Sequence, residues 1–135
     1  MKSQSKWNEA WSKKQLDSGL CRFCKNVHLN GQKVCAICYL KVLAKNNLNS
    51  RELGEKLYLK LIEQDYKCYL TGNNIELGVN ASIDHVIPRS KNPDLQHDID
   101  NIKWCDKRVN LMKKDLLIDE FFEICKKVIS HNSLD

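Results

Sequence analysis

Two C-x-x-C pairs, Cys21/Cys24 and Cys35/Cys38, constrain this chain more than any other feature of it. Each pair puts two thiolates within reach of one ion, and four thiolates complete a closed tetrahedral zinc site. The chain has seven cysteines, an odd number. Its first residues, Met1-Lys2-Ser3-Gln4-Ser5-Lys6-Trp7, are polar and lack the apolar stretch of a secretory signal. The reading is therefore a reducing, intracellular and cytoplasmic setting, with Cys21, Cys24, Cys35 and Cys38 on a structural Zn²⁺ rather than in disulfides. Asn30-Gly31 is a tight-turn signal and predicts a hairpin between the pairs. From Cys35 onward the sequence reads as a helix, so the second pair should sit at a helix N-terminus.

At 135 residues the chain has the size of one domain with a small appendage, and no run nears the ~18 apolar residues of a membrane span. Its net charge of +5 is unevenly distributed. Residues 1–48 carry nine Lys or Arg against Glu9 and Asp17, while the remainder is slightly acidic. The basic segment is suited to meeting a polyanion, although a lysine-rich solvated surface has the same composition. The polar run Asn46-Asn47-Leu48-Asn49-Ser50 divides the chain into this N-terminal segment, 1–48, and a folded body, 49–135.

Within the first segment, Trp7 and Trp11 lie four apart in an amphipathic stretch that Gly19 would end; they could dock on the body or lie against nucleic acid. Asn49 and Glu52 resemble a helix cap, and Leu53, Leu57, Leu61 and Ile62 form an apolar stripe to about Tyr66. Cys68–Gly72 and Ile75–Leu77 read as strand around a Gly72-Asn73-Asn74 turn, with Ala81–Ile87 as the second strand of a hairpin. Residues 91–100 are a loop. Asn101–Lys114 is expected to be a helix with Ile102, Cys105, Val109 and Met112 inward. A last helix over about Asp119–Ser130 should carry Phe121, Phe122, Cys125, Val128 and Ile129 on one side.

The body carries one chemical constellation, Asp84-His85 on a β-branched run, followed by Asn101 and Asn110. Phosphodiester hydrolysis needs a nucleophilic water, charge relief on the phosphoryl oxygens and a proton for the leaving oxygen. A carboxylate oxygen from Asp84 and a carbonyl oxygen from Asn110 suit a hard ion, Mg²⁺ or Mn²⁺, rather than zinc. His85 falls on the opposite strand face from Asp84. Neutral imidazole serves as a general base near pH 7, worth roughly 10²–10⁴-fold.

Asp84-His85, Asn101 and Asn110 resemble the motif of HNH nucleases, the ββα-metal class that includes the colicin DNases and the HNH domain of CRISPR effector nucleases. The resemblance covers roughly residues 66–127. It implies that Asp84 and Asn110 hold the catalytic ion, that His85 is the base, and that Asn101 holds the loop and the imidazole. It further implies Lys113 near the phosphate, and Arg89, Lys113 and Lys114 as nucleic-acid contacts. Asn at the third motif position is a common variant that favours magnesium-like ions. Where many members carry two further C-x-x-C pairs, this chain reads Cys68-x-x-Thr71 and Cys105-x-x-Arg108, so a second structural zinc is not expected. Cys68, Cys105 and Cys125 read as buried thiols, and His28, His97 and His131 as residues outside any site.

The expected protein is α+β: a ββα-metal (HNH) core with flanking helices and a small N-terminal zinc module. Its expected activity is metal-dependent hydrolysis of DNA, nicking as a monomer, with a homodimer able to cut both strands. A non-catalytic zinc-ribbon nucleic-acid-binding protein is the alternative. Compactness favours a phage or mobile-element source. Sequence preference is not legible.

Overall fold

A computed structural model describes residues 11, 13–14, 18–24, 26–29 and 32–133. The expected helix around Trp7 and the Asn30-Gly31 turn lie outside the described residues. The chain is a mixed α+β fold: helices α1 (Ala36–Leu48) and α2 (Gly54–Glu63), strand β1 (Ala81–His85), strand β2 (Ile102–Asp106), then helices α3 (Lys107–Lys113) and α4 (Ile118–His131). Among the described residues no helix is long and apolar enough to cross a membrane.

Helix α1 begins where expected, with Cys35 in extended conformation as its N-cap. It runs through the asparagine-rich break, because Leu48 still faces inward at 3% exposure. The stop comes at Asn49, whose left-handed backbone (φ 56°) turns its N–H back onto the carbonyls of Ala44 and Lys45. Asn49 thus ends one helix rather than starting the next. A 3₁₀ turn, Arg51–Leu53, then leads into α2. Gly54 sits where the two helices come closest: a Cβ there would lie 3.1 Å from the Lys41 nitrogen. Leu57 and Leu61 are fully buried, whereas Ile62 is 47% exposed and faces outward. The expected division after residue 48 falls at this turn, and Leu40, Ala44 and Leu48 share one core with Leu57, Leu61, Trp104 and Cys105.

The hairpin is the main departure from the sequence reading. β1 does not pair with the 68–77 segment; it pairs antiparallel with β2, Ala81 opposite Asp106 and His85 opposite Ile102. The first half of the expected Asn101–Lys114 helix is therefore strand. Ile102 and Trp104 are inward and Lys103 outward, the alternation of a strand, before Cys105 and Asp106 are both buried at its end. Asp106 then caps α3 by accepting from the Arg108 N–H at 2.9 Å. Met112, expected inside, is 65% exposed. The 68–77 segment forms a single bridge, Lys67 to Asn74, and a turn with Gly72 at φ 73°, while Ile75 and Leu77 still reach the core.

Trp104 is the centre of this core. Its ring is fully buried and its Nε1–H donates to the Leu57 carbonyl at 2.8 Å. On the edge of β2 away from β1, the Gln64 carboxamide takes the place of a third strand. Its Oε1 accepts from the Trp104 N–H at 2.8 Å and its Nε2 donates to the Trp104 carbonyl at 2.8 Å. The Tyr69 N–H also donates to the Trp104 carbonyl, at 3.2 Å, so this backbone edge is satisfied by the carboxamide together with one main-chain donor.

Candidate functional site

The four cysteines converge. Their sulfurs all lie within 4.8 Å of one another, and among the described residues they form the one such cluster able to hold a metal ion. The first pair lies on a turn held by the Cys21 N–H to the Asn26 carbonyl at 2.8 Å. The second pair opens α1, where the Cys38 N–H points at the Cys35 sulfur at 3.5 Å. Burial raises the Cys21 thiol, but N–H donors led by Phe23 outweigh it and bring Cys21 down to about 6. Cys35 is lowered in the same way, against its burial, by the Cys38 amide. Cys24 gains from the Asn26 amide, yet burial and the neighbouring sulfurs push it up. Burial, then the same sulfurs, raise Cys38. Crowded thiolates repel, and a dication is what allows all four to ionise together. The set fits a closed structural ion such as zinc. His28 stands outside it, with Nδ1 3.4 Å from the Leu29 carbonyl.

The second constellation opens into a cleft of about 450 Å³ lined by α1 (Asn46, Asn47), β1 (Ile83, Asp84, His85), the following loop (Pro88, Arg89, Ser90, Gln96), Asn110 of α3, and Lys114 and Asp115. Asp84, His85, Asn110, Arg89 and Lys114 are thus brought together as expected. Asn101 is just behind them. Its carboxamide oxygen accepts from the Ile87 N–H at 2.9 Å, and its nitrogen donates to the carbonyls of Ile87 at 2.9 Å and Leu95 at 3.3 Å. One buried side chain therefore staples both limbs of the loop that joins the strands.

That staple sets the imidazole. Gln96, next to Leu95, offers its carbonyl to His85 Nε2 at 2.9 Å, and the Asn47 carbonyl lies 3.4 Å from the same nitrogen. Two carbonyl acceptors require the proton on Nε2, which leaves Nδ1 as the nitrogen with a lone pair. Asn110 is oriented by similar means: its NH₂ donates to the Ser82 hydroxyl at 3.1 Å and to the Ile83 carbonyl at 3.0 Å. Among the described residues its carbonyl oxygen has no hydrogen-bond partner, and the residue lines the cleft.

Asp84 is 3% exposed, and both its carboxylate oxygens have partners. The Tyr69 hydroxyl donates to its Oδ2, and Lys113 Nζ lies 3.3 Å from both carboxylate oxygens. Burial, and then the hydrogen bond to Asp84, raise the Tyr69 hydroxyl well above its ordinary value and keep it a donor. Lys113 was expected to face a phosphate. It is instead completely buried, because α3 starts only at Lys107 and its last turn lies against β1. Arg89 and Lys114 are the exposed cations of the rim.

Sequence reasoning missed Tyr69, Gln96 and Asn47. The last two act through backbone carbonyls, which leave no signal in residue type. Tyr69 sits in the segment read as a strand, and nothing in its spacing ties it to Asp84. No protein-family model matches the chain, and neither a curated protein nor a solved structure is significantly similar to it.

Proposed function

We propose that this chain is a metal-dependent endonuclease of the HNH type, acting on DNA. The observation that carries this reading is the pairing of His85, its proton fixed on Nε2 by the Gln96 carbonyl, with Asp84 and Asn110 in one cleft rimmed by Arg89 and Lys114. The β1–loop–β2–α3 order also follows the strand–strand–helix order of a ββα core.

Arg89, through its planar guanidinium, and Lys114, as a point charge, bind the phosphate backbone. His85 Nδ1 takes a proton from a water, whose oxygen forms a bond to phosphorus as the bond to the 3′ oxygen breaks. The leaving oxygen is protonated from solvent, giving 5′-phosphate and 3′-hydroxyl ends. Asp84 and Asn110 would hold Mg²⁺ or Mn²⁺, which when bound offsets charge on the phosphoryl and departing oxygens. The donor set fits such an ion: a carboxylate has about four lone-pair positions, so Asp84 keeps acceptor capacity beyond Tyr69 and Lys113, and the Asn110 carboxamide is oriented through its nitrogen, its oxygen having no hydrogen-bond partner among the described residues. Zinc on the cysteine quartet would brace the N-terminal segment.

A supercoiled plasmid tests the proposal. With Mg²⁺ or Mn²⁺ the purified protein should convert it to nicked circles, EDTA should stop the reaction, and His85→Ala should slow it by roughly 10²–10⁴-fold while DNA retention in a gel is unchanged. Equal nicking by wild type and His85→Ala would remove His85 as the base.

One observation favours a second reading, a non-catalytic zinc-bound nucleic-acid-binding protein. The buried Lys113 already neutralises the carboxylate assigned to the ion. Plasmid binding with no cleavage in either metal would select it.

A further inference from the structure

Helix α4 departs from the packing of the rest of the chain. Phe121 is its single buried side chain, and the ion pair Lys91–Glu120, at 3.7 Å, ties its first turn to the body. From Lys126 through Ser133 every residue is exposed. A helix of this length is marginal in water without tertiary packing. Nevertheless it presents an apolar face at helical spacing to solvent, with Phe122 44%, Val128 56% and Ile129 43% exposed and Cys125 half-buried among them. Its charges are segregated along the axis. Asp119, Glu120 and Glu123 occupy the first half, and Lys126, Lys127 and His131 the second. The helix dipole favours this order only in the end turns; Glu123, Lys126 and Lys127 lie inside them.

We propose that α4 is a self-association helix, on which a second copy of this chain docks antiparallel about a two-fold axis. Parallel docking would set acidic half against acidic half. Antiparallel docking sets each acidic half against the partner's basic half and brings the apolar faces together, which is the self-complementarity a two-fold interface requires. Because Cys125 lies at the middle of the fourteen-residue helix, full antiparallel overlap places it opposite its own counterpart. The inference is independent of the nuclease reading, since it uses no residue of the cleft.

Sedimentation velocity on the full, zinc-loaded chain tests it. The wild type should show a concentration-dependent dimer, and Ile129→Glu, at an exposed position, should be monomeric with an unchanged melting curve. An acidic form (Lys126→Glu with Lys127→Glu) and a basic form (Asp119→Lys with Glu123→Lys) should each be monomeric, and should form a dimer when mixed. A short bismaleimide should link two wild-type chains, and Cys125→Ser should prevent it. A monomer at every concentration overturns the proposal. So does a dimer that is indifferent to these substitutions and is not linked through Cys125, because a different face would then carry the association.

Discussion

The cysteine cluster and the Asp84 cleft are built on opposite principles. The cluster draws four like ligands from eighteen consecutive positions, buries most of them, and repeats one atom type. The cleft draws unlike groups from β1, a stapled loop and α3, and stays open to solvent on a rim of cations. In the first, four crowded sulfurs suit a cation held among them. In the second the chain supplies the charge itself, as Lys113. A site closed on sulfur suits an ion that braces structure; on the proposed reading, one buried, balanced carboxylate and one oriented imidazole serve an exchangeable partner.

The largest effect that would sharpen this contrast is loss of metal from the cluster. Stripping zinc with a strong chelator, or Cys38→Ser, should remove stabilisation on the order of 10 kcal/mol, as in small zinc-folded units. Because α1 starts at Cys35 and shares the core with α2, circular dichroism should show helix loss beyond residue 40. Unchanged melting would break the idea that the cluster is structural. Lys113→Met should cost about 3–5 kcal/mol by leaving Asp84 buried beside Tyr69 alone. Added Mn²⁺ should recover more stability in that variant than in wild type, and equal thermal shifts would count against Asp84 as the ligand. His85→Ala should lower nicking by roughly 10²–10⁴-fold with little change in melting; a large melting shift would make His85 structural instead.

Smaller effects come from the scaffold common to both regions. Gln64→Ala leaves the Trp104 N–H and carbonyl without their carboxamide partner and should cost about 1–3 kcal/mol in a urea titration, whereas Gln64→Glu should recover part of it. Asp106 gives the least. The Arg108 amide holds its carboxyl below the ordinary carboxylate value. A depressed folded-state value contributes stability that is present above the unfolded value and is lost as pH falls through the folded one. Melting should therefore drop on acidification below the usual carboxylate range, and Asp106→Asn should flatten that part of the curve. An identical acid limb in both proteins would remove the cap from consideration.

Much of both regions was legible in the residues. C-x-x-C spacing reports a local geometry, so Cys21, Cys24, Cys35 and Cys38 converge as read. Asp84, His85 and Asn110 also meet. What the sequence concealed was topology. Trp104 and Cys105 sit on apolar positions compatible with either a helix or a strand over so short a run, and the strand was hidden by the helix that follows it directly. The sixteen-residue interval from His85 to Asn101 was therefore not seen as the connection between paired strands. Lys113 shows the other limit: residue type says that a lysine prefers solvent, and only the fold says that this one lies beneath β1.

Ile83 and Trp104 face each other across the two strands. Each is held on its outer side by a carboxamide, Asn110 on the Ile83 carbonyl and Gln64 on both backbone groups of Trp104. A two-stranded strip has nothing but edges, and bare edges recruit other chains into growing sheets. Here two side chains, with the Tyr69 N–H on the Trp104 carbonyl, act as stoppers, so the strip is closed to further strands at its midpoint. Replacing Asn110 to probe the cleft therefore also uncorks one edge, and loss of solubility in such a variant would report the stopper rather than the chemistry.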